Sequence, residues 1–166
     1  VTGLPPWAIV TPERRAHIER VVALLEQWAD AMAVPAAERT RWRRAGWLHD
    51  ALRDAAAPDD LAHGPRAAER AARDGEADGG VLDAVRFHSY GYAGWDDAGR
   101  MLYLADYLEP GRRFAREERA ALAARVPLER DAVLREVAGR RLAWLVQSGW
   151  PLPPETVGFW NALVAR

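Results

Sequence analysis

Residues 11–32 read TPERRAHIERVVALLEQWADAM, and this stretch decides the fold class. Thr11-Pro12-Glu13 is a helix start: the threonine can cap free amides, the proline sits where its missing N–H costs nothing, and the acid meets the positive end of the helix dipole. Val21, Leu24, Leu25 and Trp28 then recur along one helical face, which predicts a helix to about Met32. The rest of the chain repeats the pattern: alanine, leucine and arginine dominate, β-branched runs are absent, and apolar residues fall at three- and four-residue steps. The expectation is an all-α bundle of about seven to eight helices. Further helices are expected from near Pro35 to about Arg53, from Pro65 to before Gly75, and from Val81 to Phe87. Others should cover Asp97 to Leu108, Arg116 to Arg125, and Leu128 to Gln147, with a short last one after Pro153-Pro154.

A chain of 166 residues suits one domain, residues 1–166, with residues 1–10, which hold two prolines and Trp7, as an arm lying on it. No apolar run approaches the roughly 20 residues of a membrane span, no signal-peptide pattern opens the chain, and there is no cysteine, so a cytoplasmic protein with no membrane partner is expected. A net charge of −1 argues against a nucleic-acid partner. Every basic residue is arginine, so any phosphate clamp must be a guanidinium.

His17 shares the apolar face of the first helix, and His49 shares one with Trp42, Ala45, Leu48 and Leu52. Asp50 follows His49, and Asp106 interrupts the apolar run Met101-Leu102-Tyr103-Leu104-Ala105. A lone inward histidine is usually a core residue bonded to a backbone carbonyl, and Asp106 could be a partner of Arg100 or Arg112. As a set, however, two inward carboxylates beside two histidines need a cation to offset their desolvation. Imidazole and carboxylate without thiolate suit iron, manganese or zinc better than calcium. Such an ion brings the pKa of water near neutrality and polarises a phosphoryl oxygen.

The arrangement of His17, His49-Asp50 and Asp106 resembles the HD superfamily of metal-dependent phosphohydrolases. Within it the chain is most similar to the YqeK-type symmetrical bis(5'-nucleosyl)-tetraphosphatases. Residues 45–50, AGWLHD, resemble that family's AGLLHD; His63-Gly64-Pro65 resembles its HGP; Phe87-His88-Ser89 resembles its HT segment. Residues 103–112, YLADYLEPGR, are very similar to its YIADYIEPGR, and Pro153-Pro154-Glu155-Thr156 with Asn161 resembles its C-terminal region.

The resemblance implies an HD-domain helical bundle that binds iron through His17, His49, Asp50 and Asp106. Arg14, Arg53, His63, His88, Ser89 and Arg112 would surround the nucleotide phosphates, with Pro153 and Thr156 contributing from the C-terminal segment. Asp50, His63 and His88 are the catalytic candidates, Asp50 to orient or deprotonate water and a histidine to protonate a leaving oxygen. A second metal through His63 and His88 is the alternative to a single ion. The implied reaction is hydrolysis of diadenosine tetraphosphate to two ADP, by an enzyme that could be a homodimer. Other readings are an HD hydrolase of a nucleoside monophosphate or a guanosine alarmone, and a nucleotide sensor without turnover. The chain departs from the family at Arg53, where lysine is usual, and in the short segment from Asp50 to His63.

Two features have blander readings. Trp150 and Trp160 could stack on a base, but most of the eight tryptophans should be core. The arginine run from Arg39 to Arg44 reads as a solvated face or an oligomer surface.

Overall fold

The fold is built from α1 (Pro12–Ala31), α2 (Ala36–Leu48), α3 (His63–Arg73), α4 (Gly79–Phe87), α5 (Asp97–Leu108), α6 (Arg116–Gln147) and α7 (Pro154–Val164). These belong to a computed structural model that describes residues 3–57 and 59–165, and among the described residues there is no strand. Residues 1 and 2 of the expected arm lie outside them. Its remainder docks on the body through Ile9 N–H to the Ala51 carbonyl at 2.8 Å and the Trp7 indole N–H to Asp74 at 3.0 Å.

The helix starts follow local chemistry. Thr11 accepts from the Arg14 amide at 3.2 Å, Asp78 from that of Val81 at 3.1 Å, and Asp96 from that of Ala98 at 3.0 Å. Each such cap is worth about 1 kcal/mol. Helix α5 is the centre: nine of its twelve residues are buried, and it packs against α1, α2, α4 and α6. A helix apolar on nearly every side has no stable place at a surface. Trp28, Trp42, Leu48, Met101 and Leu134 fill the space around it. Among the described residues no helix is long and apolar enough to cross a membrane.

Three boundaries differ from expectation. Helix α2 stops at Leu48, not near Arg53, because the chain tightens into three-residue turns (Ala51 N–H to Leu48 O at 3.1 Å, Arg53 N–H to Asp50 O at 2.9 Å) where the arm takes the Ala51 carbonyl. Helix α3 starts at His63, with Pro65 tolerated in its first turn, where amides have no helical partner. The break expected near Pro127 is a kink: Glu129 leaves helical geometry (φ −132°, ψ 35°), but α6 continues on both sides. Pro127 cannot donate to the Ala123 carbonyl one turn earlier, and the Trp28 indole N–H bonds that carbonyl instead, at 3.0 Å. The arginine run of α2 is a partly exposed face on which Arg39, Arg41, Arg43 and Arg44 all pair with acids of this chain.

Candidate functional site

Two close helix crossings assemble the site, and each depends on a glycine. A Cβ on Gly46 would lie 2.9 Å from Val22, so α2 approaches α1 there as it could with no other residue. The approach sets His49, just past the end of α2, against His17 of α1, with Nε2 atoms 3.4 Å apart. A Cβ on Gly64 would lie 2.9 Å from the carbonyl oxygens of both Val85 and Arg86. That crossing of α3 and α4 sets His63 against His88, with Nε2 atoms 3.0 Å apart. Asp50 lies between the pairs. Its Oδ2 is 3.7 Å from the Nε2 of both His17 and His49, and its Oδ1 is 3.2 Å from His63 and 3.3 Å from His88. Asp106 of α5 joins the first pair, 3.1 Å from His17 Nε2. All six side chains are buried.

The hydrogen bonds fix the ring orientations. His49, His63 and His88 each donate Nδ1–H to the carbonyl three residues back, at 2.7, 2.6 and 2.8 Å. His17 donates its own to Glu109 Oε1 at 3.0 Å. A neutral imidazole bonded in this way carries a lone pair on Nε2. Burial depresses the His49 pKa to about 4, which keeps that ring neutral at pH 7. Burial acts against ionisation of Asp50 and Asp106, yet the histidines around both and Arg112 beside Asp106 hold these carboxyls well below the usual range. The result is a set of imidazole nitrogens and carboxylates that face one another at 3.0–3.7 Å. Burial lowers the His17 pKa, but its hydrogen bonds to Asp106 and Glu109 raise it above the usual value. Such contacts repel unless a proton or a metal ion lies among them. The residues therefore fit a divalent metal, and they form two donor groups, His17-His49-Asp50 and Asp50-His63-His88.

Glu109, one residue past α5, has a role that the sequence reading missed. Burial raises its pKa, but His17, Arg20 (2.6 Å) and the Gly111 amide (2.6 Å) bring it down to about 2, so it is an ionised acceptor that orients the His17 ring.

A cleft of about 610 Å³ opens above Asp50 and Asp106. Six arginines line it: Arg14, Arg53, Arg112, Arg119, Arg140 and Arg141. Arg14 donates to Asp50 Oδ2 at 2.8 Å, and Arg112 to Asp106 Oδ1 at 2.8 Å. Arg53 stands on the wall, 3.5 Å from Asp60. His63, His88 and Ser89 also line the cleft, and the Ser89 carbonyl accepts from Arg141 at 3.2 Å. Thr156 reaches the cleft but donates its hydroxyl to the Tyr90 carbonyl at 2.7 Å. Pro153 stands outside it, as the residue before α7. Of the tryptophans, Trp28, Trp42 and Trp95 are core and Trp160 packs against it, whereas Trp150 is exposed away from the cleft. The tryptophan at the cleft is Trp144, which, like Arg119, Arg140 and Arg141, the sequence reading did not single out.

Comparison with known proteins agrees with this geometry. The family model described as HD domain matches residues 14–111. The symmetrical bis(5'-nucleosyl)-tetraphosphatases of Halalkalibacterium halodurans and Bacillus subtilis are each 30% identical over 107 residues, which cover 64% of this chain and 56% of theirs. The chain thus spans a little over half the length of these relatives. A crystal structure described as a predicted HD superfamily hydrolase involved in NAD metabolism, from Clostridium acetobutylicum, superposes with a TM-score of 0.79 over 95% of this chain and 92% of that one. At 21% identity, that likeness is one of fold.

Proposed function

This chain belongs to the HD-domain family, and from that premise we propose that it is a metal-dependent phosphohydrolase that splits diadenosine tetraphosphate symmetrically into two ADP. The observation that carries the reading is Asp50, whose two oxygens face separate histidine pairs at the floor of an arginine-lined cleft. The names of the two tetraphosphatase relatives support the choice of substrate. The net charge of −1 favours a small nucleotide over a nucleic acid, and the reading takes the enzyme to be cytoplasmic.

His17, His49, Asp50 and Asp106 would hold one ion, and Asp50, His63 and His88 a second. The two donor groups favour two ions over one, and their nitrogen and oxygen atoms suit iron, with manganese as the alternative. When bound, such ions supply Lewis acidity toward a phosphoryl oxygen and bring the pKa of water near neutrality. Asp50 would orient the attacking water as an acceptor. Arg112, whose Nη2 is tied to Asp106, would turn its Nη1 to the phosphate, and Arg14 and Arg53 would add charge in the same cleft. Attack at the second phosphorus breaks its bond to the central bridging oxygen, and ADP leaves with that oxygen.

The test is anaerobic purification with metal analysis, followed by separation of products from diadenosine tetraphosphate. Two ions per chain and ADP as the main product are expected. ATP and AMP as main products would overturn the symmetric cleavage, and no turnover with iron or manganese would overturn the hydrolase.

A further inference from the structure

Arg119 is 3% exposed, and neither of its terminal nitrogens has a partner. Among the described residues it is the one cleft arginine in that condition. Arg14 has Asp50, Arg53 has Asp60, Arg112 has Asp106, Arg140 has Glu118 and Glu136, and Arg141 has the Ser89 carbonyl. The guanidinium of Arg119 lies against two rings that meet at 72°, 4.5 Å from the centre of Tyr107 and 4.4 Å from that of Phe114. The rings attract the cation through their π-systems but supply no oxygen acceptor for its N–H donors. A buried, unpaired cation is costly to the fold and complementary to an anion with several acceptor oxygens. Arg119 lines the cleft together with Asp106, Tyr107 and Arg112.

We propose that Arg119 is the receptor for the phosphate that adjoins the one held at the His/Asp cluster in a nucleotide, and that it makes the cleft select chains of two or more phosphates over monophosphates. The proposal rests on the hydrolase reading for its nucleotide, and on the unpaired guanidinium for its anion. Packing against Tyr107 and Phe114 holds the fork in place, so two phosphate oxygens can be met at once without ordering a mobile side chain.

The test is calorimetric titration of the metal-loaded protein with ADP and with AMP, for wild type, Arg119→Met and Arg119→Lys. Wild type should bind ADP at least about tenfold more tightly than AMP, as expected for a charge-assisted pair. Arg119→Met should abolish that preference with AMP affinity unchanged, and Arg119→Lys should restore part of it. Without nucleotide, Arg119→Met should melt no lower than wild type, because it removes an unpaired buried charge. A wild type without preference, or an Arg119→Met that keeps it, overturns the proposal. So does an Arg119→Met that melts lower and loses ADP and AMP alike, since the residue then serves only the fold. Turnover of diadenosine tetraphosphate by wild type is scored separately. An Arg119-dependent preference without turnover keeps this site and overturns the hydrolase, while turnover with the preference intact in Arg119→Met does the reverse.

Discussion

The arginines of α2 and those of the cleft are chemically the same and differently placed. On α2, Arg41 joins Asp78 at 2.8 Å and Glu38 at 2.8 Å and also reaches Asp96, while Arg44 meets Glu76 at 2.8 Å and Arg43 meets Glu26 at 2.6 Å. Every charge there is answered within the chain, so the cluster ties α2 to α1 and to the segments on either side of α4. In the cleft the balance is left open. Two groups of metal-binding side chains share Asp50, and Arg119 has no acid. A region balanced by its own residues contributes stability; an unbalanced one costs stability and waits for a partner of the missing sign.

That contrast says which variants should harm activity and which should harm the fold. Asp50→Asn is the hardest test: both donor groups use this carboxylate, so bound metal should be lost and turnover should fall about a thousandfold or more. Full metal occupancy in the variant would break the contrast. Arg112→Ala should lower kcat/KM by about a hundredfold with metal content unchanged, checked by metal analysis beside steady-state kinetics. Gly64→Ala bears on both regions, because its methyl would push against the Val85 and Arg86 carbonyls. It should cost about 1–3 kcal/mol in urea unfolding, and part of the metal bound through His63 and His88 should go with it.

Asp78→Asn is the mildest and belongs to the balanced side. Asparagine keeps the cap on α4 and loses only the ion pair, so the cost should be about 1–2 kcal/mol with kcat/KM unaltered. The bond to Arg41 lowers the Asp78 pKa from 3.8 to about 2. A carboxyl depressed by folding stabilises above its unfolded value and loses that contribution as pH falls through its folded one. The gap between wild type and variant in urea midpoints should therefore be constant above about pH 4 and close near pH 2; a gap that widens on acidification would contradict the pairing.

What could be seen in the sequence was what local chemistry decides. The Thr11 cap, the all-helical period and the inward polar residues His17, His49, Asp50 and Asp106 are each visible within a few turns of one helix. Glu109 was not, because its partner His17 lies 92 positions away and a carboxylate after a helix end reads as solvent-facing. The true end of α2 was hidden for the same reason, since it depends on Ile9 reaching the Ala51 carbonyl. Pro127 correctly marked a disturbance, but the helix runs on with the freed Ala123 carbonyl bonded by the indole of Trp28, 95 positions before it. Arg119 looked like one more arginine on an alanine-rich helix, and nothing near it in sequence reveals that Tyr107 and Phe114 enclose it.

The kink at Glu129 has a consequence for how such a cleft can vary. Arg119 stands before it and Arg140, Arg141 and Trp144 after it, all lining one space. The interval between these two sets of groups is governed at a joint that touches no ligand, as the gap of a caliper is governed at its pivot. Leu128 at that joint is 90% exposed and free to be replaced. A changed bend there would open or narrow the jaws while every residue that lines the cleft stayed the same, so its size could change by drift at an exposed helix joint.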